Sequence, residues 1–341
     1  MDGGIESEGG RGAQSGAHGR RGFSHAPVLL KEAIDFLAVK RGGTYIDATL
    51  GLGGHASAIA SRLGSEGRLI GFDKDPRALE MASRRLAAPE GHEQDWPQIT
   101  LHNASFADIA QQVAGNSADG VLADLGVSSM QLEDAGRGFS FLAEGPLDMR
   151  MDPQSELTAD QVVNQFDESN LADLIYEFGE ERRSRRIARA IVRARPIKST
   201  AHLAQVVSAA ARPMNQPRGK GIHPATLTFQ AIRIYVNREL EDLRALLGSA
   251  PRVIRPGGRL VVISFHSLED RMVKDAVREG ARSGVWQMLT RKPVIASEEE
   301  IAKNPRARSA KLRAAERGET RGGAPGKRAV GLLGQRSTDR R

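Results

Sequence analysis

The sequence predicts an α/β fold: a mainly parallel, doubly wound sheet that is interrupted by a helical insertion. Two observations predict it. Between residues 44 and 125, short apolar segments alternate with helical patterns, and this alternation is typical of β-α repeats in a parallel sheet. From 132 to 222 the patterns are helical without a convincing strand, and a further strand pattern then follows at 259–265.

The elements follow in order along the chain. Helical spacing of Leu29, Ala33, Phe36 and Leu37 predicts a first helix. Strands are predicted at 44–50, 68–73, 99–103 and 120–125, with helices at 54–63 and 76–86. A long helix is predicted from His223-Pro224 to Leu247, because its apolar residues step by three or four and proline suits the first helical position. The strand at 259–265 precedes a helix through Met272 and Val277.

These elements predict one discontinuous α/β domain at 23–131 and 223–303, with the helical insertion at 132–222. Residues 1–22 contain eight glycines and no apolar core of a signal peptide, so we expect a disordered head. Residues 304–341 are rich in arginine, lysine and glycine, so we expect a basic and largely mobile tail.

Charge and composition exclude several classes of protein. The chain carries a net charge of +7, but residues 302–341 hold 12 basic and 3 acidic side chains, so this segment is +9 and the remainder is −2. The absence of cysteine excludes disulfides, zinc-thiolate sites and thiol nucleophiles. No apolar run approaches the roughly 20 residues that span a bilayer. We therefore expect a cytoplasmic protein with no membrane association and no metal site.

A glycine-rich turn predicts a nucleotide cofactor. The first strand runs into Gly51, Gly53 and Gly54, and a helix starts at once. Glycine lets a ligand approach the backbone closely and permits positive φ. Asp73 ends the second strand 22 residues after Gly51, where a carboxylate accepts hydrogen bonds from ribose hydroxyls. This spacing alone leaves both NAD and S-adenosylmethionine open.

The fourth strand favours S-adenosylmethionine. It ends at Asp124, and many amino-methylating enzymes hold an acid or amide there, followed by two prolines and an aromatic residue. Here Leu-Gly-Val follows Asp124, so this motif leaves the acceptor atom open.

Several longer motifs resemble the bacterial rRNA small-subunit methyltransferase H family. They are YIDATLGLGGH at 45–55, ADLGVSSMQ at 123–131, GFSF at 138–141, PLDMRM at 146–151, EER at 180–182, HPAT at 223–226, SFHSLED at 264–270 and NPR at 304–306. The resemblance is collinear and covers about residues 25–317. It implies a Rossmann-like class I methyltransferase fold that uses S-adenosylmethionine.

The resemblance further implies the substrate and the cofactor pocket. The substrate is 16S rRNA within the small ribosomal subunit, methylated at the exocyclic N4 of a decoding-centre (P-site) cytidine that also carries a 2′-O-methyl. The implied cofactor-binding residues are Gly53, Gly54, His55, Asp73, Phe106, Asp124 and Gln131.

Two residues are candidates for catalysis. Asp124 is the carboxylate expected nearest the reacting amine, although it could instead serve the cofactor or cap a turn. His266 follows the strand at 259–265 and could move a proton or hydrogen-bond the base, or it could be structural. Ser267 is the predicted N-cap of the next helix, with Glu269 and Asp270 in its first turn.

A basic segment in the insertion is a candidate RNA surface. Residues 182–198 contain eight basic side chains and no acid, and an apolar stripe leaves Arg182, Arg186, Arg189 and Arg193 on other faces. They could equally form an ordinary solvated helix face. The rival functions are an NAD-dependent oxidoreductase of similar fold and a non-enzymatic RNA-binding or ribosome-assembly protein.

Overall fold

The computed structural model describes residues 27–211 and 223–319, so the predicted head at 1–22 and the chain beyond 319 lie outside the described residues. The strands are β1 (Thr44–Asp47), β2 (Arg68–Asp73), β3 (Gln98–Asn103), β4 (Ala118–Asp124), β5 (Ile254–Ser264), β6 (Trp286–Met288) and β7 (Lys311–Arg317). The helices are α1 (Leu30–Leu37), α2 (Gly54–Leu63), α3 (Pro76–Arg85), α4 (Ile109–Gln112), α5 (Ser129–Glu133), α6 (Ala159–Gln165), α7 (Glu168–Gly179), α8 (Ser184–Arg193), α9 (Thr200–Ala211), α10 (Thr226–Asn237), α11 (Glu239–Val253), α12 (Ser267–Arg282) and α13 (Glu298–Lys303).

The seven strands form one sheet in the order β3-β2-β1-β4-β5-β7-β6. Strands β1 to β5 pair in parallel, whereas β7 runs antiparallel between β5 and β6. The predicted α/β fold, a mainly parallel doubly wound sheet with a helical insertion, is confirmed. Within residues 27–211 and 223–319, no helix is long and apolar enough to cross a membrane.

Side chains of the central strands alternate between two cores, one on each face of the sheet. On β4, Leu122 packs with α1 and α2, whereas Val121 and Ala123 pack with α11 and α12. On β5, Val261 packs in the core with α1 and α2, and Val262 packs in the core with α11 and α12. Successive residues of a strand point to opposite faces, so these apolar runs predict strands that are covered by helices on both faces.

The insertion has a hydrophobic core of its own, and that core extends past the predicted boundary at residue 222. Buried side chains of α6 to α9 form one cluster, and Phe229, Ile232 and Val236 of α10 belong to it. The prediction that the α/β domain resumes at residue 223 is therefore wrong. By packing, the insertion ends near Arg238.

The prediction of a single long helix from His223 to Leu247 is also wrong. The chain forms α10, which begins at Thr226, and α11, which begins at Glu239. Arg238 separates them with φ of 53°, a left-handed conformation that ends a right-handed helix. The apolar spacing continues across this break, although α10 packs in the insertion and α11 packs against the sheet.

The prediction of a mobile tail from residue 304 is wrong for residues 305–317. A short 3-10 helix (Pro305–Ser309) leads into β7, which lies inside the sheet. Its charged residues have specific partners: Arg313 donates to Asp270 at 2.6 and 3.2 Å. Buried Leu312, Ala314 and Ala315 fill both faces of the strand.

Candidate active site

The carboxyl ends of β1, β2, β4 and β5 open into one cavity of about 380 Å³. Ligands of open α/β sheets bind at this edge. Six of the predicted site residues line the cavity: Gly54, His55, Asp73, Phe106, Asp124 and Gln131. Gly53 and His266 do not line it.

The turn after β1 needs glycine for packing as well as for conformation. Gly51 and Gly53 have φ of 51° and 75°, which favour glycine. A Cβ at Gly53 would lie 3.3 Å from Ala82 Cβ of α3, and one at Gly54 would lie 2.4 Å from Pro27 Cγ. Gly53 therefore lets the turn pack closely against α3, outside the cavity lining, while Gly54 begins α2 and lines the cavity.

Asp73 ends β2 and faces the glycine turn. Its Oδ2 accepts the Gly51 N–H at 2.8 Å and its Oδ1 accepts the Asp75 N–H at 2.8 Å. Burial raises the pKa of Asp73 to about 6. A carboxylate offers about four lone-pair sites. Two of them therefore remain for a ligand with paired hydroxyls.

Gln131 holds together the loops that follow β2 and β4. Its side-chain oxygen accepts the Ser128 N–H at 3.0 Å, and its amide donates to Asp75 Oδ2 at 3.2 Å. Asp75 is fully buried and also accepts a 2.6 Å hydrogen bond from Arg137. Sequence reasoning did not identify this Asp75–Arg137 pair, because the two residues are far apart in the chain.

Asp124 ends β4 and lines the cavity. Its backbone N–H donates to Thr49 Oγ1 at 2.6 Å, which fixes the end of β4. Its Oδ1 is buried and has no hydrogen-bond partner among the described residues. Burial, together with the nearby carboxylates of Asp47 and Glu269, raises the pKa of Asp124 well above its usual value. An unpartnered buried acceptor is costly and is typical of a functional site.

His55 lies beside Asp124 in a defined tautomer. Its Nε2 is 3.1 Å from the Val28 carbonyl oxygen, which only accepts, so Nε2 carries the proton. Its Nδ1 lies 3.6 Å from Asp124 Oδ2. Burial lowers the pKa of His55 to about 4, so the ring is neutral near neutral pH. The Nδ1 lone pair therefore faces the carboxyl group of Asp124.

The structure gives His266 a different position from the one expected for a catalytic residue. It is the N-cap of α12, where its Nδ1 accepts the Glu269 N–H at 3.4 Å, so the prediction of Ser267 as the cap is wrong. Its Nε2 lies 3.1 Å from Glu269 Oε1, and the side chain is buried away from the cavity lining. His266 therefore contacts Glu269, which lines the cavity, and its predicted catalytic role stays a prediction.

Glu269 and Phe265 line the cavity where His266 does not. The Phe265 N–H donates to Glu269 Oε2 at 2.8 Å. Burial acts to raise the pKa of Glu269, but the ring of His266 and the guanidinium of Arg233 outweigh it and hold the pKa below its usual value. The sequence signal for this contact is the spacing: Glu269 lies three residues, about one helical turn, after His266. Sequence reasoning did not use this spacing.

The four predicted RNA-binding arginines, Arg182, Arg186, Arg189 and Arg193, are exposed. None of them lines the cavity. Their segment contains no acid, but the neighbouring helix α7 supplies one, because Arg189 Nε lies 3.2 Å from Glu168 Oε1. The arginines thus form a partly compensated surface of the insertion, outside the cavity.

Comparison with known proteins gives one consistent result. The sequence profile of the MraW methylase family matches residues 22–318. The chain is 68% identical over 306 residues to a ribosomal RNA small subunit methyltransferase H of Koribacter versatilis, covering 89% of this chain and 97% of the relative. Proteins of the same name from Acidobacterium capsulatum and Solibacter usitatus are 63% and 51% identical; each alignment covers 86% of this chain, and 98% and 99% of the relatives.

Proposed function

This chain belongs to the MraW methylase family, and from that premise we propose that it methylates the exocyclic N4 of a cytidine in 16S rRNA with S-adenosylmethionine. The proposed target is the decoding-centre (P-site) cytidine that also carries a 2′-O-methyl, within the small ribosomal subunit. The relatives named above act on small-subunit rRNA by name. Membership in a methylase family favours this function over an NAD-dependent oxidoreductase or a non-enzymatic RNA-binding protein.

The cavity residues fit this cofactor. The two remaining lone-pair sites of Asp73 suit the ribose hydroxyls, and Phe106 offers an apolar ring to the adenine. The free N–H groups at the start of α2, next to Gly54 and His55, suit the methionine carboxylate. When bound, the cofactor supplies a methyl group on a positively charged sulfur that is open to in-line attack.

The single observation that carries the proposal is that the Asp124 side chain lines the cavity at the end of β4. An exocyclic cytosine amine is a poor nucleophile because its lone pair is delocalised into the ring. A carboxylate that accepts a hydrogen bond from this amine localises the lone pair and stabilises the positive charge that develops during attack. A cationic cofactor beside Asp124 favours the ionised form of the carboxyl group.

We expect Asp73→Ala to weaken cofactor binding by about tenfold to a hundredfold, because a charged acceptor for two hydroxyls is worth roughly 1.5–3 kcal/mol. Titration calorimetry with S-adenosylhomocysteine measures this loss. Asp35→Ala, which removes an exposed carboxylate on α1, is the matched control and should bind as the parent does. If Asp73→Ala is folded and binds with unchanged affinity, the ribose assignment is wrong.

Cofactor affinity should also fall as the pH drops below about 6, the pKa of Asp73. Ribose hydroxyls donate most strongly to the ionised carboxylate, so below this pH binding must first displace a proton. Linkage then lowers the affinity by up to about tenfold per pH unit. Calorimetry on the parent and on Asp73→Asn over about pH 5 to 8 isolates the contribution of this group. The two affinities should converge at low pH, and a ratio that does not vary with pH would contradict the assignment.

A methyl-transfer assay tests the proposed function. Labelled S-adenosylmethionine is incubated with the protein and with either small ribosomal subunits or protein-free 16S rRNA, both taken from cells that lack this modification. We expect label in N4-methylated cytidine in at least one of the two substrates. Label in another nucleoside, or no transfer to either substrate, would refute the proposal.

A further inference from the structure

The C-terminal segment forms one wall of the cavity. Asn304, Arg306 and Ser309 line it, although they come 180 or more residues after Asp124 in the chain. The wall is fixed at both ends. Before it, Glu300 of α13 accepts the Leu29 N–H at 2.7 Å. After it, the buried Ala307 packs in the core, and β7 pairs with β5.

Arg306 differs in its partners from Lys74 and Arg233, two other cations of this cavity. Lys74 forms an ion pair with Asp242, and Arg233 pairs with Glu239 at 2.9 and 3.0 Å. Arg306 instead donates to the neutral hydroxyl of Ser129. Its nearest ion-pair distance within residues 27–211 and 223–319 is 3.7 Å, to Glu133, beyond hydrogen-bond reach. The guanidinium therefore brings to the cavity a positive charge that, among the described residues, is paired with a carboxylate only at this longer distance.

The sheet order divides the cavity into two halves. The residues that suit the cofactor are Asp73, which ends β2, and Phe106, which follows β3, and both strands are on one side of β4. Arg306 precedes β7, which begins beside the end of β5 on the other side of β4, and Phe265 follows β5 on that side. Arg85, a further cation of the lining, ends α3 on the cofactor half. By strand order, Arg306 is therefore on the half that remains for the substrate.

We propose that Arg306 binds a backbone phosphate of the RNA next to the target cytidine and so holds the base against Asp124. This inference rests on the proposed function. Chemistry on a base requires the nucleotide to leave its stack and enter the pocket, and its phosphate then lies at the pocket wall. Arginine binds phosphate oxygens in a bidentate geometry that a hydroxyl partner does not satisfy. Phosphate contacts of this kind fix register without reading sequence.

The chain offers a matched control in Arg308. This arginine lies on the same 3-10 helix, two residues further on, and it is exposed and outside the cavity lining. Arg306→Gln and Arg308→Gln each remove one positive charge from the same segment. Any difference between them reports on the position of the charge inside the cavity and not on the net charge.

The experiment measures RNA binding and single-turnover methylation on the substrate that the parent methylates. For Arg306→Gln we expect RNA affinity to fall about tenfold, with a salt slope smaller by about 0.7–0.9, the value of one phosphate contact. We also expect the rate at saturating RNA to fall by about tenfold to a hundredfold, because the base is misaligned. Arg308→Gln should stay within about twofold of the parent in rate. Equal effects of the two variants, or a parental rate in a folded Arg306→Gln, would overturn the inference.

A second pair of probes separates the RNA phosphate from the cofactor carboxylate. S-adenosylhomocysteine carries the amino-acid carboxylate, and 5′-methylthioadenosine lacks it. If Arg306 binds RNA, both should bind Arg306→Gln as they bind the parent. Loss of S-adenosylhomocysteine affinity alone would assign Arg306 to the cofactor and overturn the inference. Failure of the parent itself to methylate rRNA would instead refute the proposed function, and the inference would fall with it.

Discussion

Replacing Asp124 with asparagine is expected to lower the single-turnover rate of methyl transfer by about a hundredfold to a thousandfold. The substitution keeps the size of the side chain and an oxygen acceptor, but it removes the negative charge. That charge stabilises the positive character that develops on the attacking amine. Asp124 lines the cavity, so its carboxyl group is placed to stabilise this charge.

Rapid-quench methylation at saturating RNA and cofactor measures this effect, and binding measurements show where it arises. RNA affinity should change little, since Asp124 does not contact the backbone phosphates in this account. Asp275→Asn, which neutralises an exposed carboxylate on α12, is the control. A parental rate in Asp124→Asn would mean that Asp124 is not the electrostatic partner of the amine. A loss confined to S-adenosylhomocysteine affinity would mean that it serves the cofactor instead.

Neutralising Arg186, Arg189 and Arg193 together is expected to reduce turnover by about a hundredfold even at saturating RNA. These arginines lie on α8, a helix whose buried face is anchored by Ile187 and Ile191, so their backbone positions are fixed on the insertion. Fixed cations hold the RNA in register, and misplacement of the cytidine by about an ångström is enough for such a loss.

The matched control for the arginine helix replaces the same three residues with lysine. Lysine keeps the charge but not the planar fork that binds phosphate in two places. If α8 orients the RNA, the lysine variant should bind RNA with nearly parental salt dependence yet turn over more slowly. Normal turnover of the neutral variant once RNA is saturating would show that α8 is only an electrostatic surface. Because Arg189 is already paired with Glu168, we expect it to contribute less to RNA orientation than Arg186 and Arg193 do.

The parts of the site that the sequence predicts are those that strand order determines. Asp73 and Asp124 were found because each ends a short apolar strand, and carboxyl ends of parallel strands meet at one edge. Phe265 and Glu269 were missed as cavity residues, although the strand before them and the helix that contains Glu269 were predicted. Which side chain of a strand-to-helix turn enters the cavity depends on the helix start, and His266 occupies the cap position there.

Residues remote in sequence explain the remaining errors. The basic composition of residues 304–341 gave no indication of β7. This strand depends on its pairing with β5 and on the hydrogen bond from Arg313 to Asp270, which join residues far apart in the chain. For the same reason, Arg306 was placed in a mobile tail, whereas it lines the cavity. Likewise, the acid that pairs with Arg189 lies on α7 and not in the basic segment. Local patterns report periodicity, and these contacts depend on tertiary packing.

The central claim is that this protein methylates N4 of one cytidine in 16S rRNA. Nucleoside mass spectrometry of 16S rRNA from cells with and without the protein tests it most directly. We predict that the cytidine methylated on both N4 and the 2′-oxygen is replaced by 2′-O-methylcytidine when the protein is absent, and that the parent restores it while Asp124→Asn does not. An undiminished level of the doubly methylated nucleoside in cells without the protein would contradict the account.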